Sequence, residues 1–355
     1  MTRTWKNNWK ESRERYLDWW DGRGLLISMW EHLEKDGTPH ETVPEPEPAD
    51  NLHQFWLDQE WRARNIHYQL SKSSFKADIL PVANTHLGPG SLAAILGAGL
   101  DPGEETIWIR HHGGIEPELV LDEDNKYWKL HLDLIRTCRQ HSENRYFVGC
   151  PDLVEGLDVL ASLKGTDRVL LEMLLQPEIL EAELAAVNKV YFEVFDRIYD
   201  IIREDGEMAF CYFSIWGPGK VSKLQSDISG MVSAEDFRRF AIPFLHEQCR
   251  YIDYTLYHLD GVDALRHLDA ILEMEELNAV QWTPGVGEPQ GGDPSWYDVY
   301  RKILAAEKSI MPCWVKVDEL QALLDEVGNV GLNILMDFKS EKDIETALKI
   351  ADKFR

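Results

Sequence analysis

The stretch Tyr254-Thr-Leu-Tyr-His-Leu-Asp-Gly261 decides the fold of this chain. An apolar, strand-like run ends in His258 and Asp260, and Gly261 then opens a helix-like segment. Burying polar side chains costs free energy unless they are paired, so they have few structural uses at the end of a buried strand. An ending of this kind indicates the functional edge of a sheet.

Seven further segments have the same strand-like character, and helical segments separate nearly all of them. The eight predicted strands begin near residues 25, 78, 146, 208, 254, 279, 309 and 331. Eight strands with helical crossovers are typical of a (β/α)8 TIM barrel. A doubly wound open sheet is the alternative, but no Gly-x-Gly-x-x-Gly follows the first strand. We therefore predict an α/β chain that forms one barrel domain over residues 1–355.

Two additions to the barrel are predicted. Residues 1–22 contain an amphipathic N-terminal helix, over about 4–21, with tryptophans mostly at helical spacing. Residues 104–131, after the second strand, contain two segments that alternate polar and apolar residues, Thr106–Arg110 and Lys126–Leu130. This alternation predicts a small β-hairpin insert.

Composition excludes several classes of protein. The chain has 37 basic and 62 acidic residues, a formal net charge of −25, which argues against nucleic acid and anionic membranes as partners. Its five cysteines are odd in number and lack Cys-x-x-Cys spacing, so neither a disulfide framework nor a zinc ribbon is indicated. No apolar signal segment and no run of eighteen apolar residues occur. We expect a cytoplasmic protein without a membrane span.

The strand ends supply three catalytic candidates. His258 and Asp260 lie two residues apart, so in a continuing strand both point to one side. An imidazole beside a carboxylate suits a divalent metal, or a base held by an acid. The alternative for Asp260 is a cap on the following helix. Asp227 lies in a Gly- and Ser-rich loop, where an Asx turn is the alternative.

Other strand ends supply candidates for substrate binding. Gln281 and Trp282 offer an amide and a flat apolar face, although a satisfied core Gln and a core Trp fit the pattern equally well. His86 precedes a Gly-rich turn and is either functional or a packed loop residue. The predicted substrate-binding set is His86, Trp216, Gln225, Gln281 and Trp282.

Three motifs carry a resemblance to a known family. Ser226-Asp-Ile-Ser-Gly-Met-Val-Ser-Ala-Glu-Asp-Phe237, then Ala241-Ile-Pro-Phe244, then Tyr257-His-Leu-Asp-Gly261 resemble the uroporphyrinogen decarboxylase superfamily over about residues 75–355. That superfamily has a (β/α)8 barrel. Its true decarboxylases carry arginines near strand one, where this chain has Ser28-Met-Trp-Glu-His32. The departure favours the other branch, the cobalamin-dependent methyltransferases.

The resemblance implies a set of metal ligands. His258 takes the family's His position, Asp260 takes the first Cys position, and the last-strand Cys position falls near Asp337. Carboxylates therefore replace both thiolates, which makes a harder and weaker zinc site, or none. His258, Asp260 and Asp337 are the implied ligands, with zinc as the candidate cofactor.

The resemblance also implies an activity and its partners. The first hypothesis is a methyltransferase or demethylase that acts on a small methylated substrate with a corrinoid on a partner protein; the likeness also suggests a homodimer. The second is a cofactor-independent decarboxylase or lyase acting on a small acid, which requires a cation at the mouth of the barrel. Few basic residues lie at the strand ends, and Lys220, Lys223 and Lys339 are the candidates. The third is a non-catalytic barrel that binds a small ligand or a corrinoid protein.

Overall fold

The computed structural model describes residues 3–111 and 116–355. Twelve strands occur in these residues: β1 Leu25–Ser28, β2 Val82–Ala83, β3 Gly99–Pro102, β4 Ile107–Arg110, β5 Phe147–Cys150, β6 Met208–Phe210, β7 Ile215–Gly217, β8 Val221–Gln225, β9 Tyr254–Asp260, β10 Ala279–Thr283, β11 Ser309–Pro312 and β12 Leu332–Leu335.

Fourteen α-helices occur in the same described residues, and most of them connect successive strands. They are α1 Trp9–Trp20, α2 Leu52–Leu57, α3 Gln59–Ser71, α4 Ser91–Ile95, α5 Lys126–Ser142, α6 Gly156–Lys164, α7 Thr166–Leu175, α8 Pro177–Ile202, α9 Ala234–Phe240, α10 Ile242–Tyr251, α11 Leu268–Leu272, α12 Tyr297–Ala305, α13 Val317–Val327 and α14 Glu341–Ala351. Among them, none combines the length and the apolar character needed to cross a membrane.

The strands form a mixed α/β architecture whose main sheet is parallel. Six strands pair in the order β1-β12-β11-β10-β9-β8, and every pair among them is parallel. A second sheet has the order β2-β5-β6-β7, with β2, β5 and β6 parallel and β7 antiparallel. Every one of the eight predicted strands is present. Most are fully buried, which explains their continuous apolar sequences.

The segment after β6, predicted to be a long loop, contains two further strands. Strand β8 is parallel to β9 and pairs Gln225 with His258. Its sequence, Val-Ser-Lys-Leu-Gln, has polar residues that are nevertheless buried: Ser222, Lys223 and Gln225. A search for apolar runs misses such a strand, because these polar groups are paired inside the protein rather than exposed.

The predicted hairpin insert is wrong in its second half. The hairpin joins β3 and β4, over residues 99–110, with Leu100 opposite Ile109. The segment 126–130, predicted to be a strand, begins α5 instead. Asn125 caps this helix by accepting hydrogen bonds from the backbone N–H groups of Tyr127 (2.8 Å) and Trp128 (3.0 Å). Residues 112–115 of the predicted insert lie outside the described residues.

The N-terminal helix α1 joins the two sheets. It is shorter than predicted, beginning at Trp9, and residues 1–2 of the predicted segment lie outside the described residues. The backbone carbonyl of Trp19 accepts a hydrogen bond from the Ser309 hydroxyl of β11 (2.5 Å). The Trp20 indole N–H donates to the carbonyl of Trp216 in β7 (2.8 Å). Helix α1 therefore contacts both sheets through buried polar bonds.

Candidate functional site

Three predicted catalytic residues converge at the end of β9. Asp227, His258 and Asp260 each offer one ligand atom, and these atoms lie within 4.8 Å of one another. His258 and Asp260 project to one side of the strand, as predicted, with 3.8 Å between Nε2 and a carboxylate oxygen. Asp227 reaches the group from the 3₁₀ turn Asp227–Met231 that follows β8.

The imidazole of His258 is buried and oriented by its neighbour on β10. Gln281 is directly opposite it in the sheet register, and the Gln281 Oε1 atom contacts His258 Nδ1. An amide oxygen accepts hydrogen bonds, so Nδ1 carries the proton and the Nε2 lone pair faces the carboxylates. Burial, followed by the Lys223 charge, lowers the pKa of His258 to about 3. The ring is therefore neutral at pH 7, the form that binds metals.

Asp227 is positioned by a polar network from helix α6 and strand β8. The Gln225 amide donates to the Asp227 carboxylate (2.9 Å), and Asp158 accepts from the backbone N–H groups of Asp227 (2.8 Å) and Ile228 (3.0 Å). Burial and the nearby Asp158 charge raise the pKa of Asp227 to about 7. Burial also raises the pKa of Asp260. Gln225, predicted to bind substrate, supports this carboxylate.

A buried ion pair lies beneath the group. Lys223 Nζ is 2.6 Å from the Asp152 carboxylate, and their side chains are 0% and 1% exposed. Lys223 also contacts Gln225 Oε1 and lies 4.4 Å from the ring centre of Tyr212. The ammonium group therefore contacts the network that holds Asp227. Sequence analysis offered Lys223 only as a possible cation of the barrel mouth, because nothing local reveals its partner.

Asp158 is a supporting residue that sequence analysis missed. It lies in the first turn of α6, where acidic residues commonly stabilise a helix N-terminus, so its position carried no functional signal. Its carboxylate instead bonds across to the turn that carries Asp227. Burial raises the pKa of Asp158.

Three predicted site residues do not join this group. Asp337 pairs with Lys339 (2.5 Å), and Asp227 stands as the third ligand candidate in its place. Trp216 is fully buried against Trp9 of α1. Trp282 is fully buried against Trp296, with ring centres 5.2 Å apart. Trp282 lies away from the group because side chains alternate along a strand. Gln281 points towards His258, so the next residue points to the other face of the sheet.

His86 lies near the group rather than in it. Its ring is 6.2 Å from that of Tyr212, and its Nδ1 atom is buried without a hydrogen-bond partner among the described residues. Burial, followed by the Arg62 charge, lowers the pKa of His86 to about 3. The histidine is therefore neutral and cannot supply a cation at neutral pH.

Two clefts lie along these strand ends. One, of about 260 Å³, is lined by Asp158, Gln225 and Asp227 together with the apolar Val154 and Met231. The other, of about 290 Å³, has a more polar lining: Trp30, Glu31, His32, Val82, Asn84, Cys211 and Ser214. Each has room for a small molecule rather than a tetrapyrrole or a polymer.

The donor set fits a divalent cation. It combines one neutral imidazole nitrogen with two carboxylates, which suits zinc or a harder metal of similar charge. The imidazole is buried, whereas the carboxylates of Asp227 and Asp260 are only partly covered and are in contact with solvent. Comparison with protein-family models and with curated proteins finds no match to this chain.

Proposed function

We propose that this chain is a metal-assisted enzyme of the corrinoid-linked methyltransferase or demethylase kind, acting on a small methylated substrate. The observation that carries the proposal is the convergence of Asp227, His258 and Asp260 within 4.8 Å. A three-ligand set with open positions is typical of catalytic rather than structural metal sites. The motif resemblance described above supports methyl transfer as the reaction class.

We also propose that the two sheets close into one (β/α)-type barrel, in which β8 is a ninth strand beside the eight predicted ones. Their strand orders support this: β2, β5 and β6 on one sheet continue with β8 to β12 on the other and return to β1 in chain order. Helix α1, bonded to both sheets, supports the same arrangement. In such a barrel the strand ends that carry chemistry all lie on one face.

The residues have distinct proposed roles. Asp227, His258 and Asp260 would hold the metal, which supplies Lewis acidity to the leaving group of the methyl donor. Gln281 fixes the tautomer of His258, while Gln225 and Asp158 hold Asp227 in place. The corrinoid would be carried by a separate protein, and no residue of this chain is assigned to it.

A cofactor-independent lyase is the second candidate function. The Asp227 carboxyl, with a pKa of about 7, is suited to exchange a proton near neutral pH. Against this candidate, Lys223 is fully buried and paired with Asp152, so it does not offer the free cation that an acidic substrate needs. Metal dependence distinguishes the two functions.

The first test is metal binding. We expect the purified chain, dialysed against zinc and analysed for elements, to retain about one equivalent. His258→Ala should lose this metal, whereas His53→Ala, a change at an exposed histidine on α2, should keep it. Circular dichroism checks that both variants fold. A folded wild-type chain that retains no divalent metal would overturn the proposal and favour the lyase.

The second test is methyl transfer. The zinc-loaded chain is mixed with cob(I)alamin and a panel of small O-, S- and N-methyl donors, and methylcobalamin is followed by its absorbance. We expect at least one donor to react with the wild type, and the rate to fall at least about tenfold in His258→Ala. Metal binding without transfer to cobalamin from any donor would keep the metal site and reject this reaction class.

A further inference from the structure

Four aromatic side chains form a continuous surface beside the metal-ligand group. We call Trp30, Tyr212, Phe213 and Trp314 the aromatic wall. The ring centre of Trp30 is 4.5 Å from Tyr212, 5.0 Å from Phe213 and 6.0 Å from Trp314. Three of the four, all except Phe213, are only partly buried. Partial exposure leaves part of these ring surfaces open, where a ligand could contact them.

The aromatic wall connects the metal-ligand group to a cleft. The rings of Tyr212 and Phe213 lie 6.0 and 5.3 Å from the His258 ring. At the other end, Trp30 lines the cleft of about 290 Å³ together with Glu31 and Ser214. One small molecule could therefore touch the aromatic rings while its other end approaches the metal ligands.

Backbone strain occurs at the aromatic wall itself. Phe213, Ser214 and Trp314 have positive φ angles of 61°, 49° and 57°. Residues other than glycine rarely adopt this conformation, because the Cβ atom clashes with the backbone. Such strain clusters at ligand sites, where the surrounding structure enforces it.

The electrostatics around the aromatic wall favour a cation. The carboxyl groups of Asp152, Asp227 and Asp260 all act electrostatically on Tyr212 of the aromatic wall. Lys223 is itself neutralised by Asp152 and lies over the Tyr212 ring. Aromatic faces attract cations through the ring quadrupole, and the attraction is greatest for tryptophan. Rings and carboxylates together disfavour a substrate that is only anionic.

We propose that the substrate carries an alkylammonium group that rests on the aromatic wall and an oxygen atom that reaches Asp227, His258 and Asp260. The oxygen end rests on the proposed function, because it requires the metal. The ammonium end does not, since aromatic faces bind the cation without any metal. The two ends can therefore fail separately.

The test compares choline with 3,3-dimethyl-1-butanol, which has the same shape but no charge. Both are titrated by calorimetry and tryptophan fluorescence into the full chain dialysed against EDTA. We expect choline to bind at least about tenfold more tightly than the alcohol, the ratio that cation–π attraction at partly desolvated rings provides. Equal binding of the two, or no binding of choline, would overturn the proposal.

Substitutions of tryptophan residues test whether choline binds at the aromatic wall. Trp30→Leu and Trp314→Leu should each weaken choline binding about tenfold, and Trp30→Phe should recover part of the loss. Trp108→Leu, a change at a tryptophan of β4 that is 67% exposed, should leave it unchanged. Full choline affinity in folded Trp30→Leu and Trp314→Leu chains would refute the assignment to the aromatic wall.

The effect of zinc on choline binding distinguishes a failure of the ammonium site from a failure of the proposed metal-assisted function. In the wild type, zinc should tighten choline binding if the oxygen end reaches the metal, and His258→Ala should lose this tightening. Choline binding without any effect of zinc would keep the ammonium site and remove the oxygen contact. Zinc binding without choline binding would reject the aromatic wall while keeping the metal site.

Discussion

Asp227 is the residue that should give the metal site its pH dependence. Its carboxyl has a pKa of about 7, and a metal must displace the proton that it carries below that value. We therefore expect zinc affinity to fall by roughly tenfold for each pH unit below about 7 and to level off above it. Competition with a chelating dye at several pH values measures this. Asp227→Asn should bind more weakly and show a much flatter profile; an unchanged profile would remove Asp227 from the ligand set.

The same carboxyl has a second, independent consequence in the metal-free chain. Folding raises the pKa of Asp227 from 3.8 to about 7, so between these values the folded chain holds a proton that the unfolded chain has released. The free energy of unfolding should therefore fall as the pH rises from about 4 to about 7. Urea unfolding with EDTA present measures the slope. Asp227→Asn should make it shallower, and the remaining slope belongs to groups such as Asp158, whose pKa is also raised.

The effect of the Lys223–Asp152 pair on the free energy of unfolding should come mainly from the burial of both groups, and less from the attraction between their charges. Burial raises the pKa of Asp152 even with Lys223 2.6 Å away, because desolvation exceeds the Coulomb attraction. Asp152→Asn leaves a buried ammonium group without its carboxylate, so we expect a loss of about 3–5 kcal/mol in the free energy of unfolding. The double variant with Lys223→Met should recover most of it. Asp124→Asn, which breaks the exposed Lys129–Asp124 pair, should have no measurable effect.

At the scale of elements, the packing of strand β5 against its neighbours depends on the absence of a side chain at Gly149. A Cβ atom at Gly149 would lie 2.8 Å from the Cβ of Cys211 and 2.8 Å from Cγ1 of Val82. Val82 lies in β2, which pairs with β5, and the backbone N–H of Cys211 donates to the Cys150 carbonyl (3.0 Å), so neither neighbour can move cheaply. Gly149→Ala should therefore lower the free energy of unfolding by about 1–3 kcal/mol, as overpacked cores do.

The matched control for this change is Gly230→Ala in the 3₁₀ turn after β8. The nearest atom to its added Cβ is Asp263 Cβ at 3.9 Å, and its φ angle is not in the left-handed region. We expect this variant to be neutral or slightly stabilising. Chemical denaturation of both variants decides the point, and equal stability of the two would mean that β5 has room for a methyl group.

A strand or helix is predicted correctly from the sequence when the residues that stabilise it are close together in the chain. Apolar runs located the eight predicted strands because parallel strands covered on both faces need continuous apolar residues. The strand predicted over Lys126–Leu130 is wrong, although its sequence alternates polar and apolar residues. The Asn125 cap and the burial of Tyr127 and Trp128 stabilise helix α5 there instead. Strand β8 is not predicted because the partners of its polar side chains are distant in the chain: Asp152 pairs with Lys223 and Tyr191 with Ser222.

At the scale of the whole molecule, helix α1 is the element that ties the two sheets together. The Trp9 ring packs on the second sheet, 5.1 Å from Phe147 of β5 and 5.1 Å from Trp216 of β7, while Ser309 of β11 in the main sheet donates to the Trp19 carbonyl. Trp9→Ala opens a cavity between α1 and the second sheet, and we expect a loss of about 3–5 kcal/mol in the free energy of unfolding. Trp108→Ala, at the exposed tryptophan of β4, is the control and should change it little. Comparable losses in both variants would contradict the packing of α1 on the second sheet.

The sequence by itself determined the eight predicted strands, most of the helices, and the placing of His258 and Asp260 on one side of β9. These features follow from the periodicity of the backbone and the spacing of apolar residues, and a short stretch of sequence is enough to determine both. Only the tertiary structure decided that Asp227 joins them, that Asp158, Gln225 and Lys223 support it, and that Trp216 and Trp282 face away. Those outcomes depend on strand register and on partners far apart in the chain, such as Asp158 and Asp227, 69 residues apart, and Asp152 and Lys223, 71 residues apart. Register is set by packing of the whole core, so no local pattern contains it.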